Sequence, residues 1–391
     1  MTSASATLQG PAAASRSIPW RERLAEHLLL GGATLVLFPL AWLFRASVGL
    51  DPSLDAVDFW AFHAALVINN PHFAVTYLLF YKDARGRAFG RAFRSPMQRA
   101  RYLVAGLLVP LGLIAWAGWA IAAGSARSMG FMIQLMFFLV GWHYVKQGFG
   151  VLTVFSARRG FLYSPLERNV ILAHCFAGWA YAWASPADPG RELLEKGVLY
   201  RSIGHPPGLE IAAQVAFFMS AIGLVWVLFR RWRSEKRLPP LSPLVTFLIT
   251  IWLWTVYSSL DPLMVYVIPA LHSIQYLYVV WLLKRNEGRE AEGPPLFGRP
   301  TALRLGILAA SAVGLGWILF RGAPSFLDGA LVMTRGPGEA PAGLGDTPYF
   351  AAIFVFVNIH HYFMDYVIWR RETPETRYLR ESLKAEPSSS H

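Results

Sequence analysis

The chain has 391 residues, of which 54% are apolar, 14% aromatic and only 15% charged. A soluble globular protein carries about 25% charged residues. Here the apolar residues come in runs of about 20, the length that crosses a hydrocarbon core of about 30 Å. These features speak against a water-soluble enzyme, a disordered protein and a β-barrel porin. They predict an all-α, polytopic integral membrane protein built as a helical bundle.

Ten apolar segments have the length and composition of transmembrane helices. We number them spans 1 to 10 in chain order. Their approximate bounds are 28–48, 59–81, 102–123, 129–154, 169–185, 209–229, 244–258, 264–284, 303–320 and 348–369.

The charged residues that give the net charge of +12 are unevenly distributed along the chain. Lys and Arg concentrate after the even-numbered spans, above all in the loops 82–101 and 230–237, whereas Asp51, Asp55 and Asp58 lie between spans 1 and 2. Because cytoplasmic loops are enriched in Lys and Arg, this alternation predicts ten spans with both termini cytoplasmic. The charge is therefore a topology signal and does not indicate a nucleic-acid partner. The expected environment is a lipid bilayer, the bacterial inner membrane.

The domain organisation follows from the same pattern. Residues 1–26 form a polar cytoplasmic segment without the basic-then-apolar order of a signal peptide, so span 1 is expected to act as its own insertion signal. Residues 27–371 form a single transmembrane domain. The polar residues 372–391 are expected to be a disordered cytoplasmic tail. The single cysteine, Cys175, excludes an internal disulfide framework and a cysteine-ligated metal site. Nothing in the sequence predicts the oligomeric state.

The histidines are the most informative polar residues, because ionisable groups inside a membrane are costly and usually functional. Counted from the cytoplasmic end of each span at 1.5 Å per residue, five of the ten histidines lie about 14–18 Å deep, on four separate helices. His174 lies nearer the cytoplasmic side and is kept as a further candidate, whereas His63 lies near the outer surface and is excluded. The five midplane residues are His72, His143, His272, His360 and His361.

Each midplane segment also carries an amide or carboxyl side chain one helical turn from its histidine, on the same face. A metal-bound imidazole usually needs a hydrogen-bond acceptor that fixes its tautomer, and these side chains are of the right type. They are Asn69, Gln147, Gln275, Asn358 and Asp365.

Three residues are candidates for a catalytic role. Asp365 can orient a histidine or bind a metal directly. Lys146 lies beside His143 at a similar depth and can balance an acidic substrate, or it can extend its ammonium group to the membrane surface. Tyr276 can donate a hydrogen bond to a substrate.

Imidazoles with at most one carboxylate and no thiolate suit Fe(II), Cu or Zn better than Mg or Ca. Three other interpretations remain open. Two histidines at one depth can ligate a haem in a quinone-linked electron-transfer protein, and a row of histidines can relay protons in a transporter. Histidines in a membrane also often serve only as hydrogen bonds between helices.

Four segments resemble a known family when taken in order. Pro71-His72, Trp142-His143-Tyr144, Leu271-His272-Ser273 and His360 followed by Asp365 are similar to the Pro-His, Ile-His-Phe, Ile-His-Ser and Pro-His…Asp segments of the Brp/Blh membrane β-carotene dioxygenases. The resemblance covers well under a quarter of the chain.

The resemblance implies a non-haem Fe(II) site and oxygen-dependent cleavage of a polyene such as β-carotene. It implies that His72, His143, His272 and one of His360 and His361 bind the metal. Two positions depart from the family pattern: Tyr276 stands where a second histidine is expected, and Thr76-Tyr77 replace an acidic residue. The expected function is thus a metal-dependent membrane oxidoreductase of the oxygenase type, acting with O₂ on a lipophilic substrate such as a carotenoid or another lipid.

Overall fold

A computed structural model of the protein is almost entirely helical in the part of the chain that it describes. The described residues are 20–48, 61, 63–185, 190–260, 264–332 and 343–380.

The helices are numbered here in chain order. The α-helices are α1 (Trp20–His27), α2 (Thr34–Val48), α3 (Asn69–Tyr81), α4 (Ala84–Ala88), α5 (Pro96–Leu103), α6 (Val109–Ala122), α7 (Ala126–Arg158), α8 (Pro165–Ala184), α9 (Leu209–Glu235), α10 (Leu241–Leu248), α11 (Met264–Glu292), α12 (Thr301–Trp317), α13 (Ala323–Leu331), α14 (Pro348–Ile368) and α15 (Arg377–Arg380). Wider π-helical turns continue or join several of them, at Leu28–Gly32, Val104–Leu108, Ile249–Val256 and Ile318–Gly322, and a 3₁₀ turn covers Pro374–Thr376.

Six helical stretches among the described residues are long and apolar enough to cross a membrane. A seventh is possible if the pair Trp20–Gly32 and Thr34–Leu43, which is bent by 60°, forms one span. Each of the ten predicted spans contains helix, but the number that crosses the bilayer and the cytoplasmic position of the termini stay predictions. The six stretches are Pro96–Ala122, Ala126–Arg158, Leu209–Glu235, Tyr266–Glu292, Thr301–Leu331 and Pro348–Ile368.

Span 2 differs from the continuous helix expected over 59–81. The regular helix α3 begins only at Asn69, and residues 65–68 form turns in which the Asn70 N–H donates to the Ala65 carbonyl at 2.8 Å. Pro71 explains this start, because proline has no N–H to donate and its ring crowds the preceding turn. Residues 59 and 60 lie outside the described residues, as do Asp51, Asp55 and Asp58.

The segment 186–208, expected to be a loop, contains the only strands among the described residues. Glu192–Glu195 (β1) and Val198–Arg201 (β2) pair as an antiparallel hairpin. Val198 and Tyr200 point into the core beside α6, α7 and α14. Gly130 of α7 permits this contact, since a Cβ atom there would clash with the Tyr200 ring. The hairpin thus covers one end of the bundle.

The beginning of the expected disordered tail is packed against the bundle. Arg158 donates to the Leu379 carbonyl at 2.9 Å, and Asn286 donates to the Tyr378 carbonyl at 2.8 Å. Glu375 accepts a hydrogen bond from the buried Arg87. Residues 372–380 of the expected tail therefore include segments that pack against the bundle, and residues 381–391 lie outside the described residues.

Helix α14 is the central helix of the bundle. Of its apolar window, 72% is buried inside the protein, against 17% for the stretch Thr301–Leu331. One face of α14 packs with α6 and α7, and another packs with α3, α5 and α11. Residues of α14 that face inward are therefore placed between α3, α7 and α11, the helices that carry the other midplane histidines.

Candidate metal centre

Four of the midplane histidines meet at the centre of the bundle. His72, His143, His272 and His361, called below the histidine cluster, come from α3, α7, α11 and α14, and each is at most 4% exposed. The ring centroids of His72 and His361 are 4.5 Å apart, and His143 is 5.0 Å from both His272 and His361. Four helices far apart in sequence thus bring their imidazoles into direct contact.

Three members of the cluster have the spacing of a metal site. One ring nitrogen each from His72, His143 and His361 lies within 4.8 Å of the others. Two nitrogens bonded to one ion at about 2.0–2.1 Å can be at most about 4.2 Å apart. The three nitrogens could therefore hold a single ion if their rings moved slightly closer together.

Several ring nitrogens of the cluster are buried without a hydrogen-bond partner among the described residues. They include Nε2 of His72, Nδ1 of His272 and both nitrogens of His361. A buried polar atom without a partner costs about 1–3 kcal/mol. A metal ion that accepts these lone pairs would remove that cost, so the orphaned nitrogens fit a metal site.

The tautomer of His72 follows from its neighbours. The Ser273 hydroxyl donates to the side-chain oxygen of Asn69 and lies 3.1 Å from Nδ1 of His72. Because its single proton is directed at Asn69, the hydroxyl accepts a hydrogen bond from the Nδ1–H group of His72. The Nε2 atom then carries a free lone pair, and this is the nitrogen that has no partner. Asn69, expected to orient His72, therefore acts on it through Ser273.

His272 touches the three-histidine group without belonging to it. Its Nε2 atom is 3.1 Å from Nε2 of His143, so one ring donates a hydrogen bond to the other. One turn below, Gln147 donates to Gln275 at 2.6 Å, and Gln275 donates to the Leu30 carbonyl. The two glutamines, expected to orient histidines, instead bind each other and connect α7 and α11 to the bend in the N-terminal helix.

Asp365 supplies the carboxylate at the cluster. Its Oδ2 atom is 3.5 Å from Nε2 of His361 and 3.9 Å from Nδ1 of His143. Its Oδ1 atom accepts a hydrogen bond of 2.7 Å from the Tyr276 hydroxyl, which is 2.6 Å from the Thr76 hydroxyl. Asp365 can thus orient two histidines or bind a metal itself, while Tyr276 and Thr76 fix its position.

The structure does not bring His360 into the cluster. Its Nδ1 atom is 3.0 Å from the Tyr77 hydroxyl, and its Nε2 atom is 3.0 Å from the Ala105 carbonyl. Consecutive helical residues point about 100° apart, so His361 faces the cluster while His360 faces α3 and the π-helical turn Val104–Leu108 that follows α5. Between the two metal-ligand candidates on α14, the geometry favours His361.

Two further candidates also lie elsewhere. His174 stacks on Phe217 and has its Nδ1 atom 3.0 Å from the Ser220 hydroxyl, between α8 and α9. The Lys146 ammonium lies over the rings of Phe149 and Phe176, 5.7 and 5.9 Å from their centroids. Neither residue contacts the cluster. Lys146 points into the interface between α7 and α8, and His174 points into the interface between α8 and α9.

Asn358 binds within its own helix. It donates to the Phe354 carbonyl at 2.8 Å and accepts from the Tyr362 hydroxyl at 3.1 Å. Tyr362 in turn packs against the His143 ring, with 4.8 Å between the ring centroids. Asn358 therefore positions Tyr362, whose ring packs against the site, and makes no hydrogen bond to His361.

Sequence reasoning missed the two hydroxyl residues at the site, Ser273 and Thr76. The expected partners were amide and carboxyl groups one turn from each histidine. Ser273 instead immediately follows His272 and reaches His72 on another helix, whereas Thr76 lies one turn after His72. A search for any hydroxyl at the depth of the histidines would have found both.

Comparison with models of known protein families, with curated proteins and with solved structures found no match for this chain.

Proposed function

We propose that the protein is a metal-dependent membrane oxidoreductase of the oxygenase type. In this proposal His72, His143 and His361 hold the metal at the centre of the bundle, and the substrate is a lipophilic molecule such as a carotenoid or another lipid. The bacterial inner membrane is the proposed location.

One observation carries the proposal. Three buried imidazoles from α3, α7 and α14 offer nitrogens within 4.8 Å of one another. Burying them without partners is costly in an apolar bundle, and hydrogen bonds between helices alone would not leave both nitrogens of His361 unsatisfied. A bound cation explains why four histidines are gathered at one point.

The donor set restricts the choice of metal. Imidazole nitrogens suit Fe, Cu and Zn, whereas Mg and Ca prefer oxygen ligands. Cys175 packs among apolar residues of α7, α8 and α9 and offers no thiolate to the cluster. We propose Fe(II), on the basis of the motif resemblance. Iron held by histidines supplies one-electron and O₂ chemistry.

The protein residues have separate tasks in this proposal. His272 bonds to His143 and can become a fourth ligand when its ring rotates. Asp365 supplies negative charge that offsets the cation. The Tyr276 hydroxyl donates a hydrogen bond to Oδ1 of Asp365. The Tyr362 ring of α14 packs against His143, and the Tyr144 ring of α7 packs against His272, with 4.8 and 4.4 Å between the ring centroids.

A proton-relay transporter is the second candidate, and one observation favours it. Thr76, Tyr276 and Asp365 form a hydrogen-bonded chain, with the carboxylate next to His143 and His361. Such chains move protons in membrane carriers. A haem site fits less well, because the imidazoles contact each other ring to ring at 4.5–5.0 Å and leave no gap for a planar macrocycle.

Metal analysis of the purified full-length protein, together with its visible spectrum, tests the proposal. We expect close to one equivalent of iron, retained or restored by anaerobic addition of Fe(II), and no Soret band. The variant His143→Ala should lose the metal while its helical circular dichroism is unchanged.

Three outcomes would overturn the proposal. One is a wild-type protein that neither carries nor takes up Fe, Cu or Zn. Another is a Soret band, which would indicate haem. The third is proton-gradient-dependent uptake of a solute by metal-free protein in vesicles, which would identify a transporter.

A further inference from the structure

An apolar cavity of about 270 Å³ lies between helix α11 and the chain that leads into α3. It is partly open, and its lining comes from Ala61, Ala64, Ala65, Ile68 and Asn69, from residues of α11 and from Leu37 of α2. Its volume is close to the lower end of small-molecule sites, about 300 Å³. The cavity thus has room for part of a long, slender molecule.

Prolines and alanines explain why the helices leave space here. Pro71 delays the start of α3, so that residues 65–68 form turns, and Pro269 lies within α11, between the lining residues Val267 and Ala270. Ala65 and Ala270 line the two walls and contribute only methyl groups. Larger side chains at these positions would fill the space.

The lining defines the chemistry of an occupant. None of the lining residues is charged, and the polar side chains among them are those of Asn69 and Tyr266. The Asn69 oxygen accepts from Ser273, whereas its nitrogen has no acceptor among the described residues. The walls therefore suit a hydrocarbon chain, and the Asn69 amide can donate to one neutral oxygen.

The cavity is connected to the histidine cluster through hydrogen bonds. Asn69 of the lining is hydrogen-bonded to Ser273, whose hydroxyl is 3.1 Å from Nδ1 of His72. Leu37, another lining residue, is 40% exposed on the surface of the protein. A molecule bound in the cavity would thus contact Asn69, which is linked to His72 through Ser273.

We propose that this cavity is a binding site for a long-chain lipid that carries a single neutral oxygen, an alcohol or a carbonyl, with that oxygen at Asn69. The site rests on the proposed function for its chemical role, since it would place the substrate beside the metal. Binding itself requires no metal and can be measured separately.

Photolabelling of the full-length protein tests this site. The probe is a long-chain alcohol that carries a diazirine, compared with the matching hydrocarbon that lacks the hydroxyl, and labelled positions are mapped by mass spectrometry. We expect labels in the segments 61–69 and 264–274. Ala270→Phe should reduce this labelling about tenfold, as expected when a fitted apolar site is blocked. Asn69→Leu should reduce labelling by the alcohol and leave labelling by the hydrocarbon unchanged.

Ala309→Phe is the matched control, because it adds the same ring to an exposed position on α12. Ala65→Phe fills the cavity from the other wall and covers the case in which Ala270→Phe does not fold. Labelling that spreads evenly over the lipid-facing helices, or that survives both cavity variants, would overturn the site. Specific labelling of a wild-type protein that binds no metal would instead overturn the proposed function and leave the binding site standing.

Discussion

The Ser273 hydroxyl lies 3.1 Å from Nδ1 of His72 and determines which nitrogen of that ring faces the histidine cluster. The hydroxyl proton is directed at Asn69, so the ring must donate its own Nδ1 proton. This leaves the Nε2 lone pair available to a metal. A residue on α11 thereby sets the tautomer of a ligand on α3.

Removing this hydroxyl should weaken metal binding. In Ser273→Ala the tautomer of His72 is no longer fixed, and loss of such a partner typically costs about 10–100-fold in metal affinity. Titration of the metal-free protein with Co(II), followed by its visible absorption, measures the change. Ser220→Ala removes an equivalent hydroxyl from Nδ1 of His174, outside the cluster, and should leave the affinity unchanged. Equal losses in both variants would refute a specific role for Ser273.

The adjacent histidines of α14 should respond differently to the same substitution. His361→Ala removes a ring whose two nitrogens make no hydrogen bond to the described residues and should abolish stoichiometric metal binding. His360→Ala removes the contacts to Tyr77 and Ala105 and should lower the melting temperature while metal content stays near the wild-type value. Metal analysis and thermal unfolding of both proteins check this. Loss of metal in His360→Ala alone would reverse the assignment.

Sequence patterns predicted the helical architecture and picked out four histidines that meet in the bundle, but not the direction in which each side chain points. Apolar runs and basic loops depend on the bilayer, so they are visible in the sequence alone. Depth placed both His360 and His361 at the midplane, whereas rotation about the helix separates them, and that rotation depends on packing against α3 and α5. The Gln147–Gln275 bond joins α7 to α11 and likewise requires the tertiary arrangement.

Asp365→Asn should have opposite effects on the metal-free and metal-bound protein. Asparagine retains an oxygen that accepts from Tyr276 and removes a carboxylate whose burial is costly, so the metal-free protein should unfold at the same or a higher temperature. In the metal-bound protein the substitution removes the negative charge next to the metal, so the affinity for the metal should fall. Each tenfold fall in that affinity removes about 1.4 kcal/mol of metal-dependent stabilisation. Calorimetry with and without metal measures both effects. A lower melting temperature of the metal-free variant would show that the carboxylate is needed for the fold.

The bend near the N-terminus should be sensitive to a side chain at Gly31. This residue has φ +124, where an L-residue is strained, and a Cβ atom would lie 3.1 Å from Trp254. Strain of this kind costs about 1–3 kcal/mol, and displacement of Trp254 would disturb its hydrogen bond to Thr34. Gly31→Ala should therefore lower the unfolding temperature and, through the nearby Gln275, weaken metal binding.

Gly112→Ala provides the comparison for this prediction. Gly112 lies inside α6, and a Cβ atom there meets nothing within 4 Å. Alanine favours helix over glycine by about 0.5–1 kcal/mol, so this variant should be as stable as the wild type or slightly more stable. Thermal unfolding of the two variants in the same detergent gives the result. If Gly31→Ala is as stable as Gly112→Ala, the bend is not held by the contact between Gly31 and Trp254, and the N-terminal helix does not support the site.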